Sequence, residues 1–109
     1  NSGHYTIEGC LTSQFENHLR AVLDWPLGDP APAAPAVATV NVLGRSDRDP
    51  AASLPPALAV PGVHVHLYAK PARPGRKLGH VTATGDDPAD ALARARRAAE
   101  LLMGPSGRE

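Results

Sequence analysis

The sequence predicts an α+β domain, a small antiparallel barrel-like β unit with two flanking helices. Three observations carry that expectation. Near the start, a capping signal precedes apolar residues at helical spacing. In the middle, two segments of strand character flank a Pro/Gly-rich turn. At the end, an Asp-Pro pair opens an Ala-, Leu- and Arg-rich stretch that stops at Gly104-Pro105. The length of 109 residues fits one small domain, which buries about two-thirds of the surface its unfolded chain exposes.

Residues 1–10 are polar and punctuated by glycine, and read as a loop with a short extended segment. Ser13-Gln14-Phe15-Glu16 has the form of a capping box. Ser13 Oγ can accept from the Glu16 N–H while the Glu16 carboxylate reaches back to the Ser13 N–H. Phe15, Leu19, Val22 and Leu23 then recur at i, i+4, i+7 and i+8, one stripe of a helix. The expected helix spans residues 13–23 and packs this stripe against the sheet. Pro26 ends it, because the residue before a proline disfavours helical dihedrals.

Residues 29–35 are rich in Pro and Ala and read as a connector. Residues 37–43 are rich in β-branched side chains and end at Gly44, which predicts a strand. Residues 45–61 carry Pro50, Pro55, Pro56 and Pro61 and read as a second loop. Asp47 to Asp49 within it reads as a solvated charged turn.

Val63, Val65 and Leu67 alternate with His64, His66 and Tyr68, the period of a strand with two different faces. Residues 70–75 form a Pro/Gly turn and residues 77–84 a returning strand, so the pair predicts a hairpin with a long basic loop. Asp87 caps a last helix with Pro88 at its first position. Leu92, Ala95, Ala99 and Leu102 form its apolar stripe, with Arg94, Arg96 and Arg97 mostly off it. Gly104-Pro105 stops the helix.

Lys plus Arg and Asp plus Glu both number 11, so the formal net charge is zero. That argues against a general binder of nucleic acid or acidic membrane, which carries a basic excess. Any anion site must be local. The single cysteine, Cys10, allows no internal disulfide and no paired-thiol metal motif. It reads as a small buried apolar residue, and it fits a reducing cytosol. No apolar run approaches the length that spans a bilayer. No signal-peptide pattern opens the sequence and Asn1 is not an initiator Met, so the numbering is expected to begin inside a longer polypeptide or after processing.

Three groups of residues can carry chemistry. Lys70, Arg73, Arg76 and Lys77 place four cations in eight residues on a turn stiffened by Pro71 and Pro74. Arg grips phosphate or carboxylate bidentately and Lys adds a compact charge. A phosphate or carboxylate site is one reading, and an ordinary solvated charged turn is the other. Asn1-Ser2-Gly3-His4 offers donors and acceptors around a glycine that permits close backbone approach, and a plain turn competes with a polar-ligand loop. His64, His66 and His80 place three imidazoles on one hairpin, which could bind zinc. No Cys or carboxylate stands at ligand spacing beside them, so they read as structural histidines and no metal site is assigned.

Several blocks in order resemble one family. Asn1-Ser2-Gly3-His4-Tyr5-Thr6, residues 13–21, Leu27-Gly28, Asn41-Val42-Leu43-Gly44, residues 64–70 and residues 73–80 resemble 5-(carboxyamino)imidazole ribonucleotide synthase, an ATP-grasp enzyme of purine biosynthesis. The order holds to about Thr84. Departures are Tyr5 where the family more often has Trp, and Ala69 where it has Gly. An Arg-Pro-His that precedes the first block in the family is missing, and residues 45–61 match nothing in it.

The resemblance implies that the chain is the C-terminal part of such an enzyme. Residues 1–28 would close the ATP-grasp domain, residues 29–103 would form a C-terminal β-rich domain with its terminal helix, and residues 104–109 a disordered tail. The parent would be a ligase that carboxylates aminoimidazole ribonucleotide with bicarbonate and ATP. Magnesium would bridge the ATP phosphates. The parent is expected to be cytoplasmic and a homodimer, with no nucleic-acid or membrane partner. The nucleotide- and metal-binding residues would lie upstream, so this chain alone is expected to hold no cofactor, carry no catalytic residue and be inactive. The alternative is a detached non-catalytic module that docks onto an ATP-grasp partner. By the resemblance, Asn1, Ser2, His4, Lys70, Arg73, Arg76 and Lys77 approach the ribonucleotide. The cations lie near its 5′-phosphate, with Lys77, Arg76 and Lys70 foremost.

Overall fold

A computed structural model describes residues 3–104 of the chain. In chain order the elements are α1 (Thr6–Gly9), α2 (Gln14–Val22), β1 (Ala36–Leu43), a 3₁₀ turn (Pro50–Ser53), α3 (Leu54–Leu58), β2 (Val63–Leu67), β3 (Lys77–Gly85) and α4 (Pro88–Met103). The three strands form one antiparallel sheet in the order β1-β3-β2. The α+β class and the hairpin agree with the sequence. The barrel does not, because three strands leave the sheet open at β1 and β2. Among the described residues, the expected pair of helices becomes four with a 3₁₀ turn.

β3 occupies the centre because it is apolar or small almost throughout. Leu78 to Ala83 are all buried. Its register pairs Val40 and Val65 with Val81, and Ala38 and Val63 with Ala83. Since side chains alternate along a strand, these residues share one face. α4 covers it with Ala91, Ala95, Ala98, Ala99 and Leu102, all buried. Alanines bring the helix backbone close to the sheet. Leu92, expected on this stripe, is only half-buried, and Ala91 and Ala98 replace it. The caps are as expected. The Asp87 carboxylate accepts from the Asp90 N–H at 3.0 Å, and Gly104 ends the helix at φ 76°.

The opposite face presents Val37, Thr39 and Asn41 of β1, His80, Thr82 and Thr84 of β3, and His64 and His66 of β2. Here α1 packs. A Cβ on Gly9 would press on Val37 Cγ1 at 2.8 Å. α1 replaces the extended segment expected in residues 1–10. Its entry is held by Thr6, whose hydroxyl donates to the Gly3 carbonyl at 2.6 Å and accepts from the Gln14 N–H at 3.0 Å. Cys10, expected to be buried, is half-buried as a free thiol bridging in backbone to Pro32.

Residues 45–61 are not the irregular loop expected. Prolines block a ladder but suit first helical turns, where their missing N–H costs nothing. Pro50 opens the 3₁₀ turn beneath an Asp49 cap to the Ala51 N–H at 3.0 Å, and Pro55 and Pro56 open α3. Asp47, Arg48 and Asp49 are exposed as expected. Arg48 nonetheless hydrogen-bonds Ser53 and the Leu102 carbonyl.

α2 begins at the predicted cap, with Ser13 Oγ accepting from the Glu16 N–H at 3.0 Å. The reciprocal half of the box is absent, because the Glu16 carboxylate pairs with Arg20 instead. The helix does not pack on the sheet. Phe15, Leu19, Val22 and Leu23 are between 44% and 69% exposed, and α2 buries no residue. Among the described residues, no helix is long and apolar enough to cross a membrane.

Candidate functional site

Register is what assembles the site. His66 of β2 stands directly opposite His80 of β3, and directly opposed side chains touch. The two imidazoles stack with centroids 4.7 Å apart and planes inclined by 18°. His4, brought over by the loop before α1, stacks on the other side of His80 at 4.7 Å. Three imidazoles therefore form a column with His80 in the middle.

Hydrogen bonds hold the column at both ends. The Glu8 carboxylate accepts from His66 Nε2 at 2.8 and 3.0 Å. The Tyr68 hydroxyl lies 2.7 Å from His80 Nδ1 and 3.1 Å from His4 Nδ1. Tyr68 reaches them because it follows β2 directly and its N–H still bonds the Leu78 carbonyl at 2.9 Å. Phe15 of α2 lies against the outer side of His4, with ring centroids 6.0 Å apart.

His80 is 1% exposed. Burial first, then the neighbouring His66 and His4, push its pKa down to about 4, while the Glu8 charge pulls weakly upward. His80 is therefore neutral at pH 7. Its Nε2 is buried without a hydrogen-bond partner. Burial also raises the Tyr68 phenol above its ordinary value, so it stays a neutral O–H.

The basic hairpin meets this column through Tyr68. Lys70 Nζ lies 5.6 Å from the Tyr68 ring centroid, within reach of the ring's negative face. The Arg76 guanidinium turns back to the Pro71 carbonyl at 3.0 Å, bracing the loop. Arg73 and Lys77 extend into solvent. Among the described residues, none of these four cations joins an ion pair. The loop is pinned to the end of β1, where the Gly44 N–H donates to the Arg76 carbonyl at 2.8 Å and the Gly75 N–H donates to the Gly44 carbonyl at 2.7 Å.

Of the residues expected at the site, His4 and Lys70 lie on Tyr68, Arg76 braces the turn, and Arg73 and Lys77 stand free at its rim. Asn1 and Ser2 lie outside the described residues, as does the tail after Gly104. Glu8 and Tyr68 were missed by the sequence reading. Alternation had already placed Tyr68 on the face of His66, but nothing local linked it to His4. Glu8 stands 58 residues from His66, and only the tertiary fold reveals the pair.

Glu8, His66 and His80 also offer ligand atoms within 4.8 Å of one another, whereas His64, the third histidine considered from sequence, is exposed. An imidazole lone pair lies in its ring plane, and zinc sits about 2.0–2.1 Å from each nitrogen. Two stacked rings inclined by 18° direct their lone pairs side by side, so they do not converge on one ion. The column as it stands fits hydrogen bonding, not metal ligation. A separate apolar groove of about 580 Å³, lined by Leu19, Leu23, Trp25 and Pro26 with Glu16 and Arg20, shares no residue with the column.

Fold and site together define a small α+β unit that carries a polar histidine column beneath a cationic hairpin, with one helix left uncovered. The family described as phosphoribosylaminoimidazole carboxylase C-terminal domain matches residues 37–94, and the chain belongs to that family. It is 48% identical to an N5-carboxyaminoimidazole ribonucleotide synthase of Mycobacterium tuberculosis, covering 94% of this chain and 25% of that protein. It is 49% identical to one of Corynebacterium ammoniagenes, covering 94% of this chain and 26% of that protein.

Among solved structures, the N5-carboxyaminoimidazole ribonucleotide synthetase of Thermotoga maritima superposes with a TM-score of 0.79 at 42% identity. That match covers 93% of this chain and 29% of the other. The synthase of Aspergillus clavatus, solved with ADP and 5-aminoimidazole ribonucleotide, gives 0.78 at 39% identity over 94% of this chain and 28% of the other. The chain thus spans about a quarter of the length of the curated relatives it matches.

Proposed function

We propose that this chain acts as the C-terminal part of a ligase that carboxylates aminoimidazole ribonucleotide, using ATP and bicarbonate, to give 5-(carboxyamino)imidazole ribonucleotide. In this reading residues 1–28 close the ATP-grasp domain and residues 29–103 form the C-terminal domain. Asn1, Ser2, His4, Lys70, Arg73, Arg76 and Lys77 form one wall of the ribonucleotide site. The parent is a cytoplasmic homodimer of de novo purine biosynthesis.

One observation carries the reading. Tyr68 touches both His4 and Lys70, so the opening loop and the cationic hairpin share a single surface. Lys70 belongs to a turn that Gly44 and Arg76 stiffen, and none of its four cations has an acidic partner among the described residues. A rigid cationic turn loses little side-chain entropy on gripping a phosphate. The relatives named for the carboxylated ribonucleotide, and the Aspergillus structure holding 5-aminoimidazole ribonucleotide with ADP, support this substrate class.

The parent's magnesium and nucleotide do not fit the residues here. Among the described residues, the carboxylate hydrogen-bonded into the site is Glu8, already engaged by His66, and phosphoryl transfer needs metal carboxylates and a phosphate cradle. No step of ATP chemistry is assigned to this chain, and alone it is inactive as a ligase.

The test uses the full-length enzyme. Lys70→Ala or Lys77→Ala removes a charge-assisted contact worth about 1.5–3 kcal/mol. The KM for the ribonucleotide should rise roughly tenfold to a hundredfold while that for ATP stays put. An unchanged ribonucleotide KM in both variants would remove the hairpin from the site. The exposed apolar face of α2 keeps a second reading open, a non-catalytic module docked through that face. It predicts that neither variant alters any kinetic constant while Leu19→Glu or Trp25→Ser prevents docking onto an ATP-grasp partner.

A further inference from the structure

The imidazole column contains one hydroxyl proton for two acceptors, and its placement fixes the chemistry of His4. Tyr68 Oη contacts His80 Nδ1 at 2.7 Å and His4 Nδ1 at 3.1 Å. It can donate to only one. Bonds in which a hydroxyl donates are the shorter kind, and N–H donors to oxygen most often sit at about 2.9–3.0 Å. The shorter contact favours the phenol proton on the His80 Nδ1 side, with His4 Nδ1–H donating back to the phenol oxygen.

The far side of His80 is consistent with that placement. With Nδ1 accepting, neutral His80 must carry its proton on Nε2. His80 contributes a ring nitrogen to the cluster in which Glu8, His66 and His80 ligand atoms lie within 4.8 Å of one another, and its Nε2 is buried. An N–H facing a carboxylate is attracted, whereas a lone pair there would be repelled. Glu8 in turn requires His66 to present an Nε2–H. Each proton along Glu8, His66, His80, Tyr68 and His4 then has one placement.

We infer that Tyr68 and His80 are positioning residues that lock His4 in its Nδ1–H form, leaving the His4 Nε2 lone pair free to accept a hydrogen bond from an N–H or O–H of the ligand. Among the described residues, His4 Nε2 has no protein partner. The inference deepens the proposed function and rests on it for the ligand, since His4 serves there as a wall of the ribonucleotide site. A fixed acceptor suits a ligand that offers an amine or hydroxyl at that point, and excludes one that offers only a carbonyl or carboxylate oxygen.

The tautomers can be read without any ligand. Long-range ¹H–¹⁵N correlation of the histidine rings in the 109-residue chain, near pH 7.5, should show His4 protonated at Nδ1 and bare at Nε2, and His80 the reverse. In Tyr68→Phe, His4 should return to the Nε2–H form that unconstrained imidazoles favour in water. In His80→Leu the phenol proton loses its acceptor and turns to His4 Nδ1, so His4 should flip to the Nε2–H form while its contact with Tyr68 persists. A packing role alone would broaden the His4 signals without a defined flip. The inference is overturned if wild-type His4 carries its proton on Nε2, or if both variants leave it Nδ1–H. Because no substrate enters, that failure is separate from a failure of the kinetic test of the hairpin.

Discussion

Gly44 controls how the cationic hairpin is mounted. A Cβ at this position would collide with the Arg73 backbone carbonyl, and backbone cannot step aside as a flexible side chain can. Gly44→Ala should cost about 1–3 kcal/mol, the usual penalty of overpacking. Urea denaturation of the two chains measures it, with looser Arg73 to Arg76 amides in the variant. His80 sets a pH dependence. Its folded pKa, about 4, lies below the unfolded value of 6.5. The unfolded chain thus gains a proton before the folded one does, and stability present above pH 6.5 drains away as pH falls towards 4. At 1.36 kcal/mol per pH unit, the loss is about 3 kcal/mol. The stability of His80→Leu, followed across the same range, should lack that component. Equal slopes for the two chains would refute the burial argument. Sequence showed that His66 and His80 could meet across a hairpin. It did not show that His80 would be sealed between two rings, because His4 comes from a distant loop.

The two longer helices differ in what supports them. α4 owes its place to alanines that fit closely against β1 and β3, and its start to Asp87. Asp87→Ala should cost about 1 kcal/mol, as loss of a cap typically does, and thermal unfolding will report it. Ala95 is fully buried, so Ala95→Leu should cost about 1–3 kcal/mol by overpacking. α2 has a comparable apolar stripe but, among the described residues, leaves it largely exposed, with Phe15 lying against His4. Leu19 is 62% exposed, and Leu19→Glu should leave the chain's stability within about 0.5 kcal/mol of the original. A clear loss would mean that α2 is packed after all. The helical period of α2 was legible in sequence because spacing alone defines an amphipathic face. The sheet was the expected partner for that face, and the fold gives that side of the sheet to α1 instead.

For the molecule as a whole, protection should follow burial. Hydrogen exchange tracks local opening, and segments with few buried apolar contacts open first. Amides of β3 and of the middle of α4 should exchange slowest, and those of α2 fastest among the longer elements. Slow exchange in α2 would contradict its uncovered state. The open sheet explains the pattern. β3 is paired on both edges and covered on both faces, while β1 and β2 each keep a free edge.

The sequence by itself determined which segments become strands, the α2 and α4 helices, the Ser13 and Asp87 caps, the hairpin turn and its cations. These follow from neighbours a few residues apart, through dihedral preference, side-chain period and local hydrogen bonds. It also carried the family resemblance, since blocks such as Asn41-Val42-Leu43-Gly44 and residues 73–80 are contiguous. Residues 50–58 were misread because prolines that forbid a strand equally favour a first helical turn, and α1 because four residues show no period. Only the tertiary structure decided that β3 lies between its neighbours, that α4 and α1 take opposite faces, and that His4 and Glu8 reach His80 and His66. The last of these contacts join residues 58 or more positions apart, and no local preference specifies them. They follow from burying one apolar face and satisfying the polar groups on the other.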